Sequence, residues 1–146
     1  MRKLKVLFIA ALLLVLNGCS LLGEVNNSID YVNTATNHIE KLNNFSQDAP
    51  QLIQEAVTNP EVKQELETQL VTLKQDIEEF IAINDVPSIA KTIHQELVNK
   101  NEALLDELNQ VLVNGHLALD KLQNSQLISK MNDVTDLLNR INNLVP

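Results

Sequence analysis

Cysteine occurs once in these 146 residues, tryptophan never, glycine three times and proline four times. The single cysteine, Cys19, rules out an intramolecular disulfide and any cysteine-rich zinc site. Beyond residue 18 the aromatic residues are Tyr31, Phe45 and Phe80. Sugar-binding clefts and base-stacking platforms need more ring surface than that. Gly23 and Gly115 are the glycines of the same stretch, so a glycine-rich phosphate loop is missing too. Positive charge is also short: three of the 11 basic residues and none of the 19 acidic ones fall in residues 1–18. This leaves 8 against 19 and a formal charge of −11 on the remaining 128 residues. Such a surface repels phosphate backbones and anionic membrane faces alike, which argues against nucleic acid as a partner.

What the N-terminus does have is an address. Arg2, Lys3 and Lys5 precede an uninterrupted apolar run of 11 residues, Val6 to Leu16. That run suits the core of a secretory signal and falls short of the roughly 20 residues a spanning helix needs. It ends in Leu16-Asn17-Gly18-Cys19: an aliphatic residue at −3, a small residue at −1, then cysteine. This resembles the lipobox of bacterial lipoproteins, whose cysteine thiol is diacylglycerylated before the signal is cut. Asn17 departs from the small or hydroxyl residue usual at −2.

The pattern makes residues 1–18 a signal peptide, with cleavage between Gly18 and Cys19 and acyl chains of the palmitate kind on Cys19. Two acyl chains make a stable anchor where one does not, at about 0.8 kcal/mol per buried methylene. Lipidation also gives an otherwise unpaired exported thiol a use. The competing reading is an uncleaved anchor, because Val6 to Gly23 carries no charge. Asn17, Gly18 and Ser20 make that a poor membrane interior. The expected place is the extracytoplasmic face of the cell membrane, with residues 19–24 as a short tether and 25–146 as one domain.

That domain reads as all-α. Val25, Ile29, Val32, Ala35, Ile39, Leu42 and Phe45 recur every three or four residues, a helical apolar stripe. Residues 46–50, ending in Pro50, predict a break, with Asp48 capping a short helix that carries Leu52, Ile53, Ala56 and Val57. Thr58-Asn59-Pro60-Glu61 is the clearest start signal: a capping side chain, a proline and an acid at the positive helix end.

The next helix carries Val62 to Ile81 and stops before Pro87. Asp85 or Ser88 then caps a helix with Ile89, Leu97, Leu104, Leu108 and Leu112, closed by Asn114-Gly115. A short segment around Leu117 and Leu122 leads to a last helix from Leu127 to Leu144. No stretch alternates with period two long enough to predict a strand. Short linkers make successive helices antiparallel, so the expectation is an antiparallel bundle of four long helices plus one or two short ones.

Several constellations invite chemistry and read as plain structure. Di-metal bundles place a glutamate three residues before a histidine. Here Ala35, Lys91 and Val113 stand three before His38, His94 and His116. His38 and His94 lie beside the stripe residues Ile39 and Ile93, a position at the bundle edge. Glu78-Glu79 and Asp106-Glu107 point about 100° apart on a helix, as solvated faces rather than carboxylate pairs. No serine or threonine sits in a nucleophile elbow. Asn101 stands out, a polar residue in the stripe between Leu97 and Leu104, suited to fixing helix register or touching a partner. The other asparagines, among 18 in the chain, read as compositional bias.

The segment Asn17-Gly18-Cys19-Ser20-Leu21-Leu22-Gly23-Glu24-Val25-Asn26-Asn27-Ser28, followed by Tyr31-Val32-Asn33, resembles the start of a family of small Bacillus-type lipoproteins of unknown function. Ala49-Pro50, Asn59-Pro60 and Glu65-Leu66-Glu67 extend that resemblance along the chain. It implies an all-helical lipoprotein on the outer leaflet of a Gram-positive membrane, and it carries no catalytic or binding residues across. The resulting expectation is a non-enzymatic helical interaction module, with no metal or cofactor, contacting another envelope protein or the wall. The alternative is a small-ligand or ion carrier, with a pocket between helices, acidic side chains at its mouth and polar groups such as Asn101 in its lining.

Overall fold

The computed structural model describes the backbone of residues 18–144 and the side chains of residues 26–144. Residues 1–17 of the expected signal segment and the Cys19 side chain therefore lie outside the described residues. Helix α1 runs Gly18–Ala56 and α2 Pro60–Ile81. A 3-10 turn, Ser88–Ala90, leads into α3, Lys91–Val111. Two short strands follow, β1 Leu112–Val113 and β2 His116–Leu117, then α4 Leu119–Gln123, α5 Leu127–Thr135 and α6 Leu138–Asn142. Residues 19–24, expected as a tether, carry helical backbone at the start of α1.

The all-α bundle expected from the stripes is the observed class, and its four arms are α1, α2, α3 and the α5–α6 pair. Asp136 and Leu137 between α5 and α6 keep right-handed helical dihedrals, and Leu137 N–H bonds back to Val134 at 3.1 Å. The last arm is thus one rod with a tightened turn rather than two separate helices. Cross-links tie the arms together. Lys41 meets Asp76, Thr36 meets Asn142 and Glu96 meets Arg140. α1 and α2 run antiparallel, since Thr34 shares a depression with Ile83, and Phe45 one with Thr68. α3 and the last arm do too, since Ala103 lies by Lys130 and Glu96 by Arg140. α1 packs on α2 and on the last arm, and α3 packs on the same two, giving an up-down-up-down ring with α1 and α3 diagonal and parallel.

Local signals were obeyed unevenly. The Asn59 side chain accepts from the Glu61 and Val62 amides at 3.0 and 3.4 Å, with Pro60 at the first helical position. At Pro50 the expected break does not occur, and Pro50 lies inside α1. An interior proline costs a helix roughly 3 kcal/mol. Here the stripe continues past it: Leu42, Ala49 and Ala56 are buried, and Phe45, Leu52 and Ile53 pack against the core. Burial of that face outweighs the local penalty. Asp48 therefore caps nothing, and the short second helix is the last part of α1. Before α3 the capping positions are Pro87 and Ala90 instead of Asp85 or Ser88, and neither makes a side-chain cap.

Asn114-Gly115 does not close α3 as a helix cap. Both residues have positive φ, 53° and 81°, which is the two-residue hairpin turn favoured by Asn-Gly. It pairs Leu112 with Leu117 and Val113 with His116, two strands too short for any alternation to announce. A Cβ on Gly115 would meet nothing within 4 Å, so the left-handed backbone alone asks for glycine there.

Candidate functional site

The densest polar chemistry lies in the centre of the bundle. Tyr31 and His38 sit two turns apart on α1, and His94 and Asn101 sit with the same spacing on α3. The Tyr31 hydroxyl is 3.1 Å from His94 Nδ1, and His38 Nε2 is 2.8 Å from Asn101 Oδ1. Both pairs span 63 residues, so they are two rungs of one ladder across the diagonal. From α2, Phe80 stacks on the His38 ring at 4.2 Å and 10° and leans on His94 at 5.8 Å.

Each ring has its tautomer set by its partners. Asn101 is fully buried, and its amide nitrogen donates to the Leu97 carbonyl at 2.9 Å. Oδ1 is thereby left to accept from His38 Nε2–H. Burial pushes the His38 pKa down, opposed by the Asn101 bond and by Asp76, while Lys41 pushes it further down. Burial also lowers His94, opposed by a bond from its ring to the Ile83 backbone, so in the neutral ring Nδ1 accepts from Tyr31. Burial raises the Tyr31 hydroxyl to about 12. The layer is neutral at ordinary pH and proton-satisfied.

His38 thus departs from its expected edge position. It is only 6% exposed, because its ring is stacked on Phe80 and bonded to the buried Asn101. His94 is half-buried, nearer the edge as expected. Asn101 lies buried in the stripe, bonded to His38 across the bundle and to the Leu97 carbonyl on its own helix. The signal that could have revealed its partner was the equal seven-residue spacing of Tyr31 and His38 on one helix and His94 and Asn101 on another.

Over this layer, along the α1–α2 seam, runs a groove. Its central part, about 390 Å³, is lined by His38 and Phe80 below and by Thr34, Lys41, Asp76 and Glu79 among its walls. The Lys41 ammonium bonds Asp76 at 2.8 Å. Glu78 and Glu79 are both exposed and point apart as expected, Glu78 lying 3.9 Å from Lys74. Glu107 accepts from the Gln126 amide at 3.2 Å, a helix-to-loop tie. His116, largely exposed, lies 3.3 Å from Glu67, whose other oxygen accepts from the Leu117 amide at 2.7 Å. That backbone bond is the main reason the Glu67 carboxyl is held below its usual range, helped by His116 and opposed by partial burial.

Among the described residues, no group of three or more His, Cys, Asp or Glu side chains is placed to hold a metal ion. No described helix is long and apolar enough to cross a membrane. The two expected processing positions remain as sequence features: Gly18 begins α1, and the Cys19 side chain is outside the described residues.

Comparison with known proteins bears on the chain as a whole. Residues 31–144 match the model of a family of unknown function, DUF6376. The chain belongs to that family. Over 135 residues it is 31% identical to the uncharacterized lipoprotein YybP of Bacillus subtilis (strain 168), with 90% of each chain covered. This agrees with the Bacillus-type lipoprotein resemblance carried by the residues around Cys19. No solved structure matches the chain. The matched segment of the family opens at Tyr31 and contains both rungs of the buried ladder.

Proposed function

We propose that this DUF6376 member is a lipoprotein, held by acyl chains on Cys19 at the extracytoplasmic face of the cell membrane, and that its bundle is a non-enzymatic interaction module. The observation that carries the anchoring is the Leu16-Asn17-Gly18-Cys19 lipobox behind a short apolar run, in a chain whose relative YybP bears the description lipoprotein. The strongly acidic mature chain supports attachment through lipid, since its surface is repelled by anionic headgroups.

The buried layer supports binding over chemistry. Its histidines, the side chains best suited to proton transfer at neutral pH, are committed to Asn101, Tyr31 and the Ile83 backbone. Asn101, which a carrier would use to line an internal pocket, is bonded to His38 instead and lines none of the described surface grooves. The ladder ties α1 to α3, with Phe80 of α2 stacked against it, and such a tie favours a fixed outer surface.

The test is crosslinking in intact cells, followed by purification through a C-terminal tag and mass spectrometry, with Cys19→Ala as control. The expected result is one abundant envelope protein that is lost with the anchor. Absence of any reproducible partner, or the same partner without the anchor, would overturn the reading.

A further inference from the structure

Three surface depressions lie end to end beside α1 and share lining residues. The central one shares Thr34 and Ile83 with a depression of about 280 Å³ toward Asn27, and shares Lys41 and Asp76 with one of about 370 Å³ toward Phe45. On α1 the lining residues recur every three or four positions from Asn27 to Phe45. At 1.5 Å per residue that is a trough about 27 Å long. Its floor carries apolar groups left partly uncovered, Phe45 and Ile83, beside the buried Leu73 and Phe80.

The walls are one-sidedly charged. Among the described residues, Asp30, Asp76, Glu79 and Asp85 line the three depressions against one cation, Lys41, which Asp76 already neutralises at 2.8 Å. Two other depressions on the molecule differ. One has Glu96 and Asp133 facing Lys100 and Lys130, and the other sets Glu107 against Lys121. The excess of carboxylates at the seam therefore exceeds what general acidity puts into these grooves.

From this, and resting on the interaction-module reading, we propose that the α1–α2 seam is a docking groove for a Lys/Arg-bearing amphipathic helix of a partner protein. The groove follows the α1 axis, with α2 and then the connector after it as the opposite wall, and offers side chains rather than free strand edges. An occupant must satisfy its own backbone hydrogen bonds, and a helix does so. Its apolar stripe meets Phe45 and Ile83, while cations flanking that stripe meet Asp30, Glu79 and Asp85. About five turns of helix fill the length.

The experiment uses the full chain purified with its anchor in phosphatidylcholine nanodiscs. The probes are an 18-residue Leu/Ala/Lys amphipathic peptide and a scrambled peptide of the same composition. The amphipathic peptide should bind about tenfold tighter than the scramble. Combined Asp30→Asn, Glu79→Gln and Asp85→Asn should weaken it about tenfold. Glu40→Gln, Glu102→Gln and Asp106→Asn, which remove as many carboxylates from exposed positions outside the groove, should change binding less than about twofold. Equal binding of the scramble, or equal loss from both triple variants, would overturn the groove and reveal acidity alone. Capture of a partner in cells that the groove triple leaves undiminished would also overturn it, while leaving the module reading standing.

Discussion

Replacing Asn101 by leucine removes the acceptor of His38 Nε2–H in a place water does not reach. Asn101 is fully buried and His38 is 6% exposed, so the orphaned donor incurs its desolvation penalty of about 1–3 kcal/mol. Leucine fills a similar volume, so little cavity cost is added. His38→Leu orphans Asn101 Oδ1 instead, while the amide nitrogen keeps its 2.9 Å bond to Leu97, and it loses the stack on Phe80. The double variant leaves neither orphan and gains apolar contact, and such exchanges are often close to neutral.

Each single loss should therefore exceed that of the double by about 1–3 kcal/mol, so their sum exceeds it by roughly twice that, a coupling far outside ordinary additivity. Urea unfolding of the full chain and the three variants, followed by circular dichroism, measures it. Single losses that add to within about 0.5 kcal/mol would refute the claim that the pair is one structural unit.

The same ladder makes stability depend on pH in a defined direction. The His38 pKa is lowered on folding from an ordinary 6.5. The unfolded chain thus binds more protons just below 6.5, and the stability is present above 6.5 and lost as pH falls through the folded pKa. Thermal midpoints from pH 7.5 to 5 should fall less in His38→Leu than in the parent, and equal slopes would contradict this. Asn59→Ala removes the cap of α2 and should cost about 1 kcal/mol in the same urea assay, against a few tenths for Asn59→Gly. Glu67→Gln takes the negative acceptor from the Leu117 amide, so hydrogen exchange at that amide should speed up about tenfold above pH 4.5. The Glu67 pKa is lowered on folding, so the difference should shrink as pH falls through its folded pKa.

Much of the bundle was legible because its signals were long. The stripes from Val62 to Ile81 and from Ile93 to Leu108, and the start at Asn59-Pro60, act over several turns and agree with the packing. Pro50 misled because local propensity is overridden where Ala49 and Ala56 continue a buried face. Asn114-Gly115 misled because the same dipeptide serves a helix end and a hairpin turn, and the deciding pairing of Leu112 with Leu117 is only two residues deep. The polar layer was half visible. Asn101 stood out in its stripe, but its partner lay 63 residues away on a diagonal helix, a contact no single helix's periodicity contains. Lys41 with Asp76, and the groove they share, depend on which helices become neighbours, so composition alone gave no sign of them.

The central claim is a helical module held at the membrane through Cys19, and intact mass spectrometry of the chain purified from membranes tests it most directly. The account predicts a species beginning at Cys19, heavier than the bare polypeptide by a thioether-linked diacylglycerol, and an unprocessed, unacylated chain from Cys19→Ala. A membrane-bound species that retains residues 1–18 and carries no added lipid would contradict it.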